Sequence, residues 1–145
     1  MEDRTDRFLE EHDEVSDAVR AAIPVLAVAI GGSIGAVARF LISSLLSPRE
    51  TKLFVLTGTV AANVLGCLLI GLLVAVIPKD AALWRLGLIT GLLGSLTTFS
   101  TFAYETVALI EKRQFLLATV NAVGSVVLGL AAVALGLWIG ERLRG

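Results

Sequence analysis

The chain has 145 residues, of which 56% are hydrophobic and 17% are charged. This balance is too apolar for an ordinary soluble domain and indicates a protein of the lipid bilayer. One cysteine, Cys67, and one histidine, His12, exclude an intrachain disulfide, a His/Cys zinc site and a catalytic triad with a histidine base. Phosphate-binding and dinucleotide-binding glycine motifs are missing too. We therefore expect neither a soluble enzyme nor a nucleic-acid partner.

Residues 1–21 form an acidic N-terminal extension, and residues 22–145 form the predicted membrane domain. The first 20 residues hold eight acidic side chains and three arginines, a net charge of −5. The extension lacks the basic start and cleavage site of a secretory signal, so we expect it to be retained. Two interpretations stay open for it: an amphipathic helix on the membrane surface, and a solvated, partly disordered tail.

Four apolar stretches are long enough to cross the hydrocarbon core, which takes about 20 helical residues. They are predicted at residues 24–46, 53–77, 84–110 and 115–139. Pro24 would then occupy the opening turn of the first helix. The sequence predicts an all-α, multi-pass protein of the cell membrane, with lipid as its surroundings.

Lysine and arginine near the spans usually set the orientation of a membrane protein. Here five lie on each side, so the sequence gives no preferred direction. Either a partner or the acidic extension decides the orientation, or chains insert both ways and pair antiparallel. The two sets are Arg20, Lys79, Arg85, Arg142 and Arg144 on one side, and Arg39, Arg49, Lys52, Lys112 and Arg113 on the other.

Small residues recur at four-residue spacing in the first two spans, a pattern typical of tight helix packing in membranes. Because four helices alone leave little room for a central pathway, we also expect an oligomer. The small residues concerned are Gly31 and Gly35, Gly32 and Ala36, and Gly58, Ala62 and Gly66.

The third span contains an unusual polar stretch, GLLGSLTTFSTFAYE, from Gly91 to Glu105. Its glycines are poor helix formers, and its Ser and Thr side chains can hydrogen-bond their own backbone. We predict a break in the helix between Gly94 and Thr98. The freed backbone groups must then find partners, because unpaired groups are costly in hydrocarbon. Local bonds from hydroxyls to carbonyls are one solution, and an ion is the other.

Hydroxyls, amide protons and phenyl ring edges favour an anion, whereas freed carbonyls favour a cation. Asn63, a lone amide in the second span, adds a two-proton donor. Arg39 either concentrates anions at the mouth of a pathway or extends to the interface as an ordinary membrane arginine. Glu105 would repel anions when ionised, so it is either protonated, held by donors such as Thr101, or part of a proton relay.

Three segments of the sequence resemble the CrcB/Fluc-type fluoride channels. They are GGSIGAVARF at residues 31–40, GTVAANVLGCLLIG at residues 58–71, and GLLGSLTTFSTFAYE itself. The likeness covers residues 24–140, and the TTFSTF core is highly specific. The resemblance implies four transmembrane helices with a break in the third, an antiparallel dual-topology homodimer, and passive export of fluoride that relieves its toxicity. A pair of two different chains is the alternative to a homodimer.

The resemblance also implies roles for individual residues. Phe99 and Phe102 would contact fluoride through their ring edges. The main-chain carbonyls of Gly94 and Thr97, from both subunits, would hold a structural sodium ion at the dimer centre. Ser95 replaces a glycine that is usual in the family, which would restrict the backbone there. The remaining residues expected along the fluoride path are Asn63, Ser100, Thr101, Glu105 and Arg39.

Two other functions compete with a channel. A proton-coupled exporter of cationic drugs would place its glutamate at mid-membrane in an aromatic cage, whereas Glu105 lies near the end of its span. A membrane scaffold without transport activity would explain the glycines but give the polar cluster no purpose.

Overall fold

A computed structural model describes the backbone of residues 2–46 and 58–145, and within these ranges the side chains from residue 18 onward. The described residues form helices joined by short turns. They are α1 (Glu2–Leu46), α2 (Gly58–Val76), α3 (Ala82–Trp84), a π-helix (Arg85–Leu93), α4 (Gly94–Leu96), α5 (Phe99–Glu111) and α6 (Phe115–Arg144). The predicted start of the second span, at residues 53–57, lies outside the described residues, as do two of the ten counted basic residues, Arg49 and Lys52.

Four stretches of the described chain are long and apolar enough to cross a membrane, which confirms the predicted all-α, four-span fold. They are Ala18–Leu46, Gly58–Val76, Ala82–Glu111 and Phe115–Arg144. The third comprises α3, the π-helix, α4 and α5 in succession. Large apolar side chains are exposed along these spans, for example Phe40, Leu45 and Leu116. Such surfaces suit lipid or another apolar partner and would be unfavourable in water.

The first helix differs from the prediction at Pro24. We expected Pro24 in the opening turn, but α1 begins at Glu2 and passes through Pro24 without interruption. Proline supplies no N–H, so the helix lacks one backbone hydrogen bond at that position. The expectation was wrong because a proline fits a first turn well but does not oblige a helix to start there. The acidic extension is thus a helix continuous with the first span.

Contacts at the helix ends show the direction in which each span runs. Gly58, at the start of α2, approaches Ser43 near the end of α1. At the other end of α2, Arg85 donates to the Ile77 carbonyl at 3.4 Å, and Arg144 donates to the Ala75 carbonyl at 3.2 Å. Successive spans therefore run in opposite directions, and both arginines lie at the negative end of the α2 dipole.

Glycines let the helices approach closely in two pairs, α1 with the π-helix and α2 with α6. A Cβ atom on Gly31 or Gly35 would collide with the backbone of Gly87 or Leu92. One on Gly136 would collide with the Leu68 carbonyl. The packing role predicted for the glycines of the first span is confirmed, because only a residue without a side chain fits there.

Candidate ion pathway

The third span breaks at Thr97 and Thr98, within the predicted segment. Thr97 has φ −85° and ψ 153°, and Thr98 has φ −148° and ψ 112°, so both are extended between α4 and α5. No glycine among the described residues has a positive φ. Ser95 lies in α4 and directs its hydroxyl toward Gly32 of α1. A serine is compatible with this helical backbone, so Ser95 does not restrict it as expected.

Asn63 of α2 bridges the break with both ends of its amide. The Thr98 N–H donates to Asn63 Oδ1 at 2.7 Å, and Asn63 Nδ2 donates to the Thr98 carbonyl at 3.2 Å. The amide thus replaces the helical partners that Thr98 has lost. Since Nδ2 carries two protons, one donor of Asn63 is left over from this bridge.

The Thr98 hydroxyl is the centre of a local cluster at the start of α5. It accepts a hydrogen bond from the Thr101 N–H at 3.3 Å and so caps the helix. It also lies 3.2 Å from the Ser100 hydroxyl and 3.0 Å from the Thr101 hydroxyl. Ser100 and Thr101 themselves are exposed on the surface of the chain.

Two carbonyls at the break receive no main-chain hydrogen bond from the described residues. The Thr98 N–H, which would pair with the Gly94 carbonyl in a continuous helix, donates to Asn63 instead. The Thr101 N–H, which would pair with the Thr97 carbonyl, donates to the Thr98 hydroxyl. Gly94 is exposed and Thr97 is half-buried. Hard oxygen donors of this kind suit an alkali cation.

A cavity of about 370 Å³ opens beside the break. Asn63, Phe99 and Phe102 line it together, as do Gly94 and Thr97. The two phenyl rings have centroids 5.6 Å apart and planes tilted by 46°. Phe99 is 79% exposed in the single chain, so the cavity is open on that side. The structure thus brings the amide and both aromatic residues of the sequence prediction to one place.

Ser125 of α6 also lines this cavity, and sequence reasoning missed it. Its Oγ is buried and has no hydrogen-bond partner among the described residues. A buried hydroxyl normally finds a partner, so this one is a candidate donor to a ligand. The available signal was an isolated serine in the apolar fourth span.

Glu105 lies two turns into α5 and is held by a residue that sequence reasoning also missed. Thr59 Oγ1 of α2 donates to Glu105 Oε1 at 2.7 Å. Thr59 is buried and Glu105 is half-buried. Neither residue lines the cavity beside the break.

Arg39 is half-buried on α1 and does not line the cavity. No described lysine, arginine, aspartate or glutamate does so. The polar groups around the cavity are therefore neutral: an amide, hydroxyls and main-chain groups. Such a lining can bind an ion by dipoles without the strong trapping that a fixed opposite charge would cause.

Comparison with known proteins identifies the family. The profile of a family described as "CrcB-like protein, Camphor Resistance (CrcB)" matches residues 26–137. The chain belongs to this family. A relative from Leifsonia xyli subsp. xyli, named "Fluoride-specific ion channel FluC 1", is 45% identical over 121 residues, covering 80% of this chain and 85% of the relative.

Two further relatives carry similar names. "Fluoride-specific ion channel FluC 2" from Mycobacterium bovis is 46% identical over 127 residues, or 87% of this chain and 97% of the relative. "Fluoride-specific ion channel FluC" from Solibacter usitatus is 38% identical over 120 residues, or 81% and 98%. With four spans and relatives named as ion channels, the CrcB-family chain is a multi-pass protein of the cell membrane and not an enzyme.

Proposed function

We propose that the protein is a fluoride-selective channel through which fluoride leaves the cytoplasm passively. The names of its relatives support fluoride as the ion. The observation that carries the proposal is the cavity at the broken third span, where Asn63, Phe99 and Phe102 converge and no charged side chain of the described residues is present. Its neutral donors match an anion better than the cationic drug of an exporter.

Fluoride is small and strongly hydrated, so a dry path must replace its water with close hydrogen-bond donors. Asn63 keeps one amide proton beyond its bridge to Thr98, and the Ser125 hydroxyl has no partner within the part of the chain that the structure describes. Phenyl rings have a positive edge, which attracts an anion weakly. Weak donors allow the ion to enter and also to leave. A narrow path of this kind would exclude the larger chloride ion.

The remaining predicted residues have supporting roles in this proposal. Ser100 and Thr101 present hydroxyls on the exposed side of α5, where a second subunit would enclose them. Glu105, bonded to Thr59, marks the far end of the same route. Arg39 would act at the mouth of the pathway, through its field on the approaching ion.

We propose an antiparallel homodimer as the functional unit. The cavity is incomplete in one chain because Phe99 is largely exposed there. The sequence places equal numbers of basic residues on the two sides of the membrane, which favours insertion in both directions. Two inverted copies would reproduce the inverted repeat that many transporters encode in one chain.

We further propose that the Gly94 and Thr97 carbonyls hold a structural sodium ion between the subunits. Both carbonyls lack main-chain donors among the described residues, and they flank the break from its α4 side. A bound cation would satisfy them and join the two subunits. Replacing sodium by N-methylglucamine during purification should then promote dissociation of the dimer, as measured by size-exclusion chromatography with light scattering. A dimer indifferent to sodium would contradict the ion site.

Efflux from liposomes tests the channel itself. The purified protein is reconstituted into vesicles loaded with fluoride or with chloride, and release is followed with an ion-selective electrode after potassium permeability is supplied by valinomycin. We expect rapid fluoride release and no chloride release. A drug exporter would release neither ion but would move a cationic dye against a proton gradient. A scaffold would move nothing, and silence from a verified dimer would reject the channel.

A further inference from the structure

A second polar cluster links α5 to α6, two turns beyond the break. Asn121 Nδ2 of α6 donates to Thr106 Oγ1 at 2.9 Å, and Thr106 Oγ1 donates to the Phe102 carbonyl at 2.8 Å. Asn121 is 1% exposed and is the largest fully buried side chain among the described residues. An asparagine therefore reaches the backbone of a cavity residue through one intervening hydroxyl.

The two bonds of this link differ in what they connect. A bond from a threonine hydroxyl to the carbonyl four residues earlier is local and common in membrane helices. The bond from Asn121 joins two helices instead. Because a hydroxyl has one proton, Thr106 can donate to Phe102 and accept from Asn121 at the same time. The amide thereby fixes Thr106 in the rotamer that reaches Phe102.

The other end of the Asn121 amide argues against a purely stabilising role. Asn121 Oδ1 is buried and has no hydrogen-bond partner among the described residues. A buried acceptor without a partner is unfavourable, so removing the amide relieves that cost while it gives up the single bond to Thr106. Leucine at position 121 would remove this unpaired atom and keep the packing volume.

The helix α5 needs external support because the break separates it from α4. Asn63 of α2 holds it at Thr98, and Asn121 of α6 holds it at Thr106. Side chains project radially from a helix, at intervals of about 100° around its axis. A rotation of α5 about its own axis would therefore turn the Phe102 ring relative to the cavity. Asn63 and Thr59 of α2 and Asn121 of α6 thus hold that rotation from two different neighbours.

We propose that Asn121 is a positioning residue, which acts through Thr106 to fix the rotation of α5 and the direction of the Phe102 ring. Its effect on ion flow rests on the proposed fluoride channel. Its effect on the ring does not, because the ring's environment is measurable without any ion flow.

The experiment observes Phe102 directly. Phe102 is replaced by 4-fluorophenylalanine, and its ¹⁹F resonance is recorded in lipid nanodiscs for four backgrounds: the unaltered chain, Asn121→Leu, Thr106→Val and the double variant. Thr119→Val, an exposed polar-to-apolar change two residues away on α6, is the control. Fluoride efflux and melting temperature are measured for the same substitutions in chains with ordinary phenylalanine.

We expect Asn121→Leu and Thr106→Val each to move or broaden the Phe102 resonance and to slow fluoride efflux at least tenfold. The double variant should be no worse than either single one, because both break the same link. Asn121→Leu should not lower the melting temperature, and Thr119→Val should change nothing.

An unchanged Phe102 resonance in Asn121→Leu would overturn the proposal, as would a shift equal to that of Thr119→Val. If Asn121→Leu does not assemble, Thr106→Val still decides, since it breaks the link from the other side. Should the unaltered chain pass no fluoride, the channel fails as a function while the resonance still shows whether Asn121 positions Phe102.

Discussion

Asn63 uses both ends of its amide on one residue, Thr98, and so replaces two backbone bonds that the break removes. In Asn63→Ala the Thr98 N–H and carbonyl lose these partners inside the membrane. Each buried group left unpaired costs about 1–3 kcal/mol. We expect a lower free energy of unfolding and faster amide hydrogen exchange at Thr98. Leu65→Ala, a change at an exposed site on the same helix, should alter neither quantity. Unaltered exchange at Thr98 would show that Asn63 serves ion binding alone.

Phe102 is predicted to act through its ring and not through its size. Isoleucine at position 102 keeps an apolar side chain but removes the positive ring edge and the contact with Phe99 at 5.6 Å. We expect Phe102→Ile to slow fluoride efflux at least tenfold with the dimer intact. Phe40→Ile removes a ring from an exposed position on α1 and should conduct normally. Normal efflux through Phe102→Ile would exclude the ring from the path.

Some residues of the site could be predicted from the sequence, and others could not. Phe99 and Phe102 stand out because they belong to the polar and aromatic cluster of the third span, and Asn63 stands out as the lone amide of the second. The structure brings the three residues together. Thr59, Asn121 and Ser125 were missed, because each stands outside the dense run of hydroxyl side chains in the third span. Their roles depend on contacts with distant segments, such as the bond from Thr59 to Glu105 across 46 residues. Sequence spacing carries no record of those contacts.

At the scale of elements, the third span departs from an α-helix twice. Its break at Thr97 and Thr98 was predictable, because glycines and hydroxyl side chains weaken a helix locally. The π-helix at Arg85–Leu93 was not. Its residues have no distinctive composition, and the wider turn accompanies close packing against α1. The passage of α1 through Pro24 was likewise unpredictable, since neighbouring residues supply the helical stability that a proline lowers.

Close packing of α1 on the π-helix gives a prediction for glycine. A Cβ atom at Gly91 would lie 2.6 Å from the Val28 carbonyl oxygen and 3.1 Å from the Gly32 nitrogen, both backbone atoms that cannot easily move. We expect Gly91→Ala to lower the free energy of unfolding by about 1–3 kcal/mol, a typical cost of overpacking. At Gly124 a Cβ would meet nothing within 4 Å, so Gly124→Ala should be neutral or slightly stabilising. Thermal unfolding in detergent compares the two. Equal melting temperatures would contradict the packing described for α1.

The whole molecule combines an incomplete cavity with an unbiased charge pattern. At one end of the bundle, Arg85 at the start of the third span and Arg144 at the end of the fourth both donate to carbonyls near the end of α2. Basic residues are shared between the two ends, so neither end is marked for the cytoplasm. In the proposed homodimer, a chain that inserts both ways supplies its own inverted partner, and the open side of the cavity would then face another copy instead of lipid.

Labelling from one side of the membrane tests this insertion. Cys67 is the single cysteine, so Cys67→Ser provides a thiol-free background. Two separate variants of this background, Gly145→Cys and Gln114→Cys, then each carry one thiol, at opposite ends of α6. The 30 residues of α6 span about 45 Å, so the two positions lie on opposite sides of the membrane. A membrane-impermeant maleimide applied to intact cells should label about half of the copies at each position, because half of the chains present each end outward. Permeabilised cells, in which both positions should label completely, are the control for reactivity. Full labelling at one position with none at the other would establish a single orientation, and the antiparallel homodimer would then be excluded.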